Sequence, residues 1–118
     1  MDDTAVKKIA HNRLKLFRDP DRGRFELRQD GVYIGFVGYT VDDVPAAQSP
    51  DGEPGTAIRL QHTIIDEAYS RQGYARALVT MILERARAEG DRIIPECSYV
   101  QDYLRRYPEY EDVVLRRD

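Results

Sequence analysis

The stretch that constrains this chain most is an apolar run, Ala57 to Ile65, which passes through Asp66-Glu-Ala-Tyr-Ser-Arg-Gln-Gly-Tyr-Ala into a long amphipathic helix. A second apolar run, Asp91-Arg-Ile-Ile-Pro, follows it directly. Residues 66 to 91 are far more chain than a hairpin needs and enough for a helical crossover, so the two runs are expected to lie parallel in one sheet. Parallel neighbours end on the same side. Whatever follows Ile65 and whatever follows Ile94 should therefore flank one crevice at the carboxyl ends of the strands, where open α/β sheets bind ligands.

The helix is the clearest element. Ala75, Leu78, Val79, Ile82, Leu83 and Ala86 recur at the spacing of an apolar stripe, Arg76, Thr80, Glu84, Arg87 and Glu89 point outward, and Gly90 is placed to end it. Gly73 and Ala75 keep bulk away from the turn that opens it, and Arg71 and Arg76 bracket that turn with positive charge. A helix start of this kind aims unpaired amides and a dipole at an anion, usually a phosphate or pyrophosphate. An ordinary strand-to-helix turn would carry the same small residues, so the turn alone leaves both readings open.

Earlier in the chain, Arg24-Phe-Glu-Leu-Arg alternates as a half-buried edge strand does, and Asp30-Gly31 is a strong hairpin turn. Val32 to Val41 would be its partner. Apolar positions on both faces (Val32, Ile34 and Phe36; Tyr33, Val37 and Tyr39) suggest a strand covered on both sides. Along the following run, Ile58, Leu60, His62 and Ile64 should share one face. The segment 42–56 holds three prolines and two glycines and is expected to be a long flexible loop. Residues 1–23 fit no single period and are unassigned. Val100, Tyr103, Leu104 and Tyr107 fit a short helix, with a further turn at Tyr110 to Val114.

One domain fits 118 residues. A single cysteine, Cys97, cannot form an internal disulfide, which makes a reducing, cytoplasmic setting the default. The net charge of −3 argues against binding duplex nucleic acid. No apolar run has membrane-spanning length, the start shows no secretory apolar region, and no metal site is expected.

The strings Arg24-Phe-Glu-Leu, Leu60-Gln-His-Thr-Ile-Ile, Gly73-Tyr-Ala, Ile94-Pro-Glu-Cys-Ser-Tyr-Val and Tyr107-Pro-Glu-Tyr, in this order, resemble the small acetyltransferase-like branch of the GNAT N-acetyltransferase superfamily over about residues 24 to 114. The resemblance implies an α+β fold (an α/β three-layer arrangement): a pared-down GNAT domain over 1–118, with a mixed, splayed sheet and flanking helices. It also implies acetyl-CoA in the gap of the sheet and acetyl transfer to an amine, small molecule or protein. Thr63, Ile64 and Ile65 at the strand end and Arg71, Gln72, Gly73, Tyr74, Ala75 and Arg76 at the loop would bind coenzyme A. Cys97 would face the thioester and take the acetyl group itself, and His62, in the His-Thr pair, would accept the amine proton or orient Cys97. Tyr99 and Tyr103 are candidate acids for the leaving thiolate.

The sequence departs from that pattern in three places. Ser70 stands where the loop usually has Gln or Arg, Tyr107 stands where a histidine often precedes Pro-Glu-Tyr, and the loop 42–56 is longer than usual. A buried structural cysteine, a core histidine and tyrosines tethered by their hydroxyls are the alternative readings of Cys97, His62, Tyr99 and Tyr103. At the level of function the alternatives are an acyl-CoA-binding sensor or interaction module without turnover, and thioester hydrolysis through Cys97. The protein would be a monomer, or a homodimer paired along the edge at Phe25 to Leu27.

Overall fold

Alternation of Leu14 and Leu16 with Lys15 and Phe17 builds a strand that the surrounding polar residues hide. In the computed structural model, which describes residues 8–115, this is β1 (Leu14–Asp19), and it pairs antiparallel with β2 (Arg24–Gln29). Val6 and the other residues at 1–7 and 116–118 lie outside the described residues. Because β1 covers it, β2 is not an edge, and Phe25 and Leu27 are buried. The expected pairing of two copies along Phe25 to Leu27 is corrected accordingly: the free edge is β1. There the Arg85 Nη2 donates to the Leu16 carbonyl at 3.0 Å, occupying one acceptor of that edge.

Asp30 and Gly31 both take positive φ, 52° and 79°, as a two-residue hairpin turn between β2 and β3 (Val32–Val44) requires. β3 pairs antiparallel with β4 (Gly55–Ile65), and β4 pairs parallel with β5 (Ile93–Pro95). The result is one five-stranded sheet in chain order, antiparallel through β4 and parallel at its last pair. β3 and β4 are longer than the sequence suggests. Residues 42–44 and 55–56, expected in the flexible loop, belong to the strands, Val44 is buried, and the connection shortens to 45–54.

Two register shifts decide which side chains share a face. One falls where Leu27 pairs with Gly35 but Arg28 pairs with Tyr33, and the other where Gly38 pairs with His62 but Tyr39 pairs with Leu60. Each is a one-residue bulge, at Ile34 and at Gln61, and each exchanges the faces for the residues beyond it. Phe36 therefore leaves the side of Ile34, and His62 and Ile64 leave the side of Ile58 and Leu60. The single face expected for Ile58, Leu60, His62 and Ile64 is corrected by the bulge at Gln61. Alternation along one strand cannot reveal an extra residue that only pairing exposes.

The crossover is helix α1 (Tyr74–Glu89), and α2 (Ser98–Arg106) follows β5. The stripe Leu78, Val79, Ile82 and Leu83 is fully buried, and Val100, Tyr103 and Leu104 join it over Leu27, Val37, Leu60 and Ile93. Both helices cover the same face of the sheet. The class is α+β with a mixed sheet, as expected, in two layers: among the described residues the second face carries no α-helix. Among the described residues no helix is long and apolar enough to cross a membrane.

Candidate active site

The site begins where β4 and β5 part. They pair only from Ile58 to Leu60 on β4, and at the apex the Leu60 carbonyl accepts the amides of Glu96 (3.0 Å) and Cys97 (2.8 Å). Beyond it, residues 62–65 of β4 pair with β3 on one side, Gln61 being the bulge, and among the described residues this stretch has no strand neighbour on the other. A strand edge with unpaired amides and carbonyls lies along a notch there.

At the far end of that edge the chain turns into α1. Asp66 accepts the Ala68 amide through Oδ1 at 3.0 Å, fixing the first bend. Arg71 (φ 63°) and Gly73 (φ 90°) are both left-handed. Gly73 caps α1 without a side chain, so the amides of the helix's first turn stay free of intrahelical acceptors, and a Cβ placed on Gly73 would meet nothing within 4 Å. The space above this turn is open, and Arg71, Gln72 and Arg76 beside it are exposed. Tyr74 turns away: its side chain is 1% exposed, its hydroxyl donates to Gln29 Oε1 at 3.4 Å, and only its amide faces the turn. A groove of about 330 Å³, lined by His11, Leu14, Arg76, Ala77, Thr80 and Met81, runs along α1 from its first turn.

Cys97 caps α2 at the floor of the notch. It is buried, and its Sγ lies 3.4 Å from Thr63 Oγ1. Thr63 faces the helices with Val37, its partner across β3. His62 is on the other face. There its exposed ring stands edge-on to Phe36 (centroids 5.7 Å apart) and covers Gly38 so closely that a Cβ on that glycine would come within 2.6 Å of Cε1 and Nε2. The register thus brings Thr63 and Cys97 together and puts the sheet between His62 and Cys97. Ile64, 49% exposed, shares the His62 face, while Ile65 packs into the core.

The tyrosines also separate. The Tyr103 hydroxyl is 2.6 Å from Thr80 Oγ1 and the side chain is buried, a tether between the two helices. Tyr99 is 38% exposed; burial of its phenol raises its pKa, against the pull of the Arg76 charge at the start of α1. It stays protonated at neutral pH and can donate. Sequence reasoning missed Phe36 and Gly38 as the seat of His62, because the bulges that set their faces leave no mark in either strand alone. No group of three or more His, Cys, Asp or Glu able to hold a metal ion occurs among the described residues.

A family model described as GCN5-related N-acetyl-transferase matches residues 24–113. Among solved structures, an acetyltransferase from Vibrio fischeri is similar over 63% of this chain and 59% of its own, at 21% identity and a TM-score of 0.48. A ribosomal-protein-alanine N-acetyltransferase from Brucella melitensis biovar Abortus 2308 is similar over 80% of this chain and 66% of its own, at 22% identity and a TM-score of 0.47. In both cases the chain spans less than two thirds of the other protein's length. None of the curated proteins matches this chain.

Proposed function

The chain belongs to the GCN5-related N-acetyltransferase family, and from that premise we propose that it binds acetyl-CoA in the notch between β4 and β5 and transfers acetyl to an amine. The observation that carries this reading is the unpaired edge of β4 running from Leu60 into a helix start whose glycine cap leaves its amides free. The residues fit the ligand. Amides of Gly73, Tyr74, Ala75 and Arg76, with the Arg71 and Arg76 guanidiniums, suit a pyrophosphate. The main chain of Thr63, Ile64 and Ile65 suits the amide-bearing pantetheine arm, and the groove beside Arg76 offers apolar surface to the nucleotide end.

When bound, acetyl-CoA supplies an activated acetyl thioester. The chain's own groups supply the rest. An amine arriving on the bare sheet face meets His62, whose neutral imidazole accepts the proton the amine must lose. Tyr99 holds a proton for the leaving sulfur. The contact of Cys97 with Thr63 at the α2 cap supports a second route, in which Sγ, as thiolate, attacks the thioester carbonyl and displaces coenzyme A, to whose sulfur Tyr99 gives its proton. An amine entering through the notch then attacks the Cys97 thioester, releasing the Sγ thiolate and giving its proton to the Tyr99 phenolate. His62 cannot serve Cys97 in that route, because the sheet lies between them.

Two measurements test the reading. Coenzyme A should raise the melting temperature, as any ligand selective for the folded state does, and adenine nucleotides lacking the pantetheine arm should do less. Intact-mass spectrometry after mixing with acetyl-CoA reads the second route, as an acetyl adduct on Cys97. No melting shift at millimolar coenzyme A overturns the cofactor assignment; a shift with no transfer to any amine leaves the binding module without turnover.

A further inference from the structure

Alternation along β2 sends Phe25, Leu27 and Gln29 to the helix side of the sheet, and the third of these is an amide where an apolar side chain is expected. Gln29 is 1% exposed, so the polar atoms it carries into the core need partners. They come from two distant segments. Oε1 accepts the Ala10 amide at 2.7 Å and the Tyr74 hydroxyl at 3.4 Å, and Nε2 donates to the Lys8 carbonyl at 2.9 Å. A main-chain N–H only donates and a carbonyl only accepts, so these partners fix the amide in one orientation, and a flipped side chain would lose both main-chain bonds.

These bonds decide where the chain ahead of β1 lies. Residues 8–10 belong to no helix or strand, and they lead into the short turn His11–Arg13. Arg13 Nε stands 3.3 Å from Asp30, but both side chains are exposed and such a pair fastens little. Packing of Ile9 on the core and the bonds to Gln29 are the stronger ties. What they hold in place is a wall. His11 and Leu14 line one side of the groove of about 330 Å³, and Arg76, Ala77, Thr80 and Met81, neighbours on one face of α1, line the other. Tyr74 is the first residue of that helix, so one buried amide joins the two sides of the groove.

We propose that Gln29 is a positioning residue for the nucleotide end of coenzyme A: by fastening residues 8–11 beside α1 it keeps the groove preformed, so that the ligand does not have to order one wall as it binds. This rests on the acetyl-CoA reading above. Arg76 links the two, since it belongs both to the turn that suits the pyrophosphate and to the groove. The pantetheine arm is assigned to the edge of β4, and its binding should not depend on Gln29.

The test reads amide hydrogen exchange by NMR on the full chain. Without cofactor, the Ala10 amide of Gln29→Leu should exchange at least about tenfold faster than the parent's. In the parent, coenzyme A should slow exchange at Ala10 and pantetheine should not. Calorimetry should show Gln29→Leu weakening coenzyme A by about tenfold, the worth of one hydrogen bond, with pantetheine within about twofold of the parent. Val113→Ala, a core truncation far from this segment, should alter neither ligand. His11→Ala, on the exposed wall, should weaken coenzyme A alone, and it carries the test if Gln29→Leu does not fold. Equal losses for both ligands, unchanged coenzyme A affinity in both groove variants, or exchange at Ala10 that coenzyme A leaves unaltered in the parent would each overturn the proposal. Failure of coenzyme A to bind the parent at all refutes the acetyl-CoA reading and this one together, whereas binding that leaves Ala10 exchange unaltered refutes this one alone.

Discussion

Replacing Gly38 with alanine separates the fold from the chemistry. The backbone there has no positive φ, so alanine is allowed, and in a strand it gains about 0.5–1 kcal/mol over glycine through chain entropy. The new Cβ would sit 2.6 Å from His62 Cε1 and Nε2 and 3.3 Å from Cδ2. Those atoms are the tip of an exposed side chain, which can swing out at about 0.5–1.5 kcal/mol. The two terms nearly cancel, and at about 4 °C per kcal/mol for a domain of this size the melting temperature should stay within about 4 °C of the parent. Coenzyme A binding should be unchanged. Transfer should fall by about a hundredfold, the low end for a displaced general base. Gly35→Ala is the contrast: its Cβ would stand 2.4 Å from the Ile64 carbonyl oxygen and 2.9 Å from Ile65 Cα, backbone that cannot yield without opening the β3 and β4 pairing. It should cost about 1–3 kcal/mol or more, roughly 4–12 °C. Thermal unfolding, coenzyme A titration and single-turnover transfer read all three quantities. Transfer by Gly38→Ala at the parent's rate would remove His62 from proton transfer, and a large loss of stability would show that the ring does not yield.

Three further outcomes are expected. Gly73→Ala should cost about 1–2 kcal/mol, from left-handed strain alone because no atom lies near the new Cβ, and should weaken coenzyme A in calorimetry; unchanged stability would contradict the φ of 90°. Cys97→Ala should keep coenzyme A binding, lose about 1–2 kcal/mol and abolish any adduct in intact-mass spectra, and transfer within a few-fold of the parent would refute the cysteine route. Burial, first among its causes, lifts the Tyr110 pKa to about 12 from 10.0, so the unfolded chain releases that proton first and stability should fall between pH 10 and 12, being fully present below 10. Tyr33, Tyr74, Tyr99 and Tyr103 shift the same way, and denaturant melts of Tyr110→Phe should show a shallower alkaline limb than the parent's.

What the sequence determines by itself is what short-range rules encode. The Asp30-Gly31 turn, the α1 stripe ended by Gly90 (φ 74°), the stop at Pro95 and the parallel crossover follow from steric limits, periodicity and chain length, each contained in neighbouring residues. The motifs from Arg24 to Tyr110 point to the acetyltransferase family that the model over 24–113 bears out. Tertiary structure alone decides the rest, because it depends on pairing between distant segments. β1 emerges only where β2 offers it a ladder, which moves the free edge from Phe25 and Leu27 to Leu14–Asp19. The bulge at Gln61 exists only in the register of β4 against β3, yet it turns His62 and Ile64 away from Thr63 and Cys97 and so divides the candidate chemistry between two faces. With a side-chain period of two, one unpaired residue is enough to reverse every assignment beyond it.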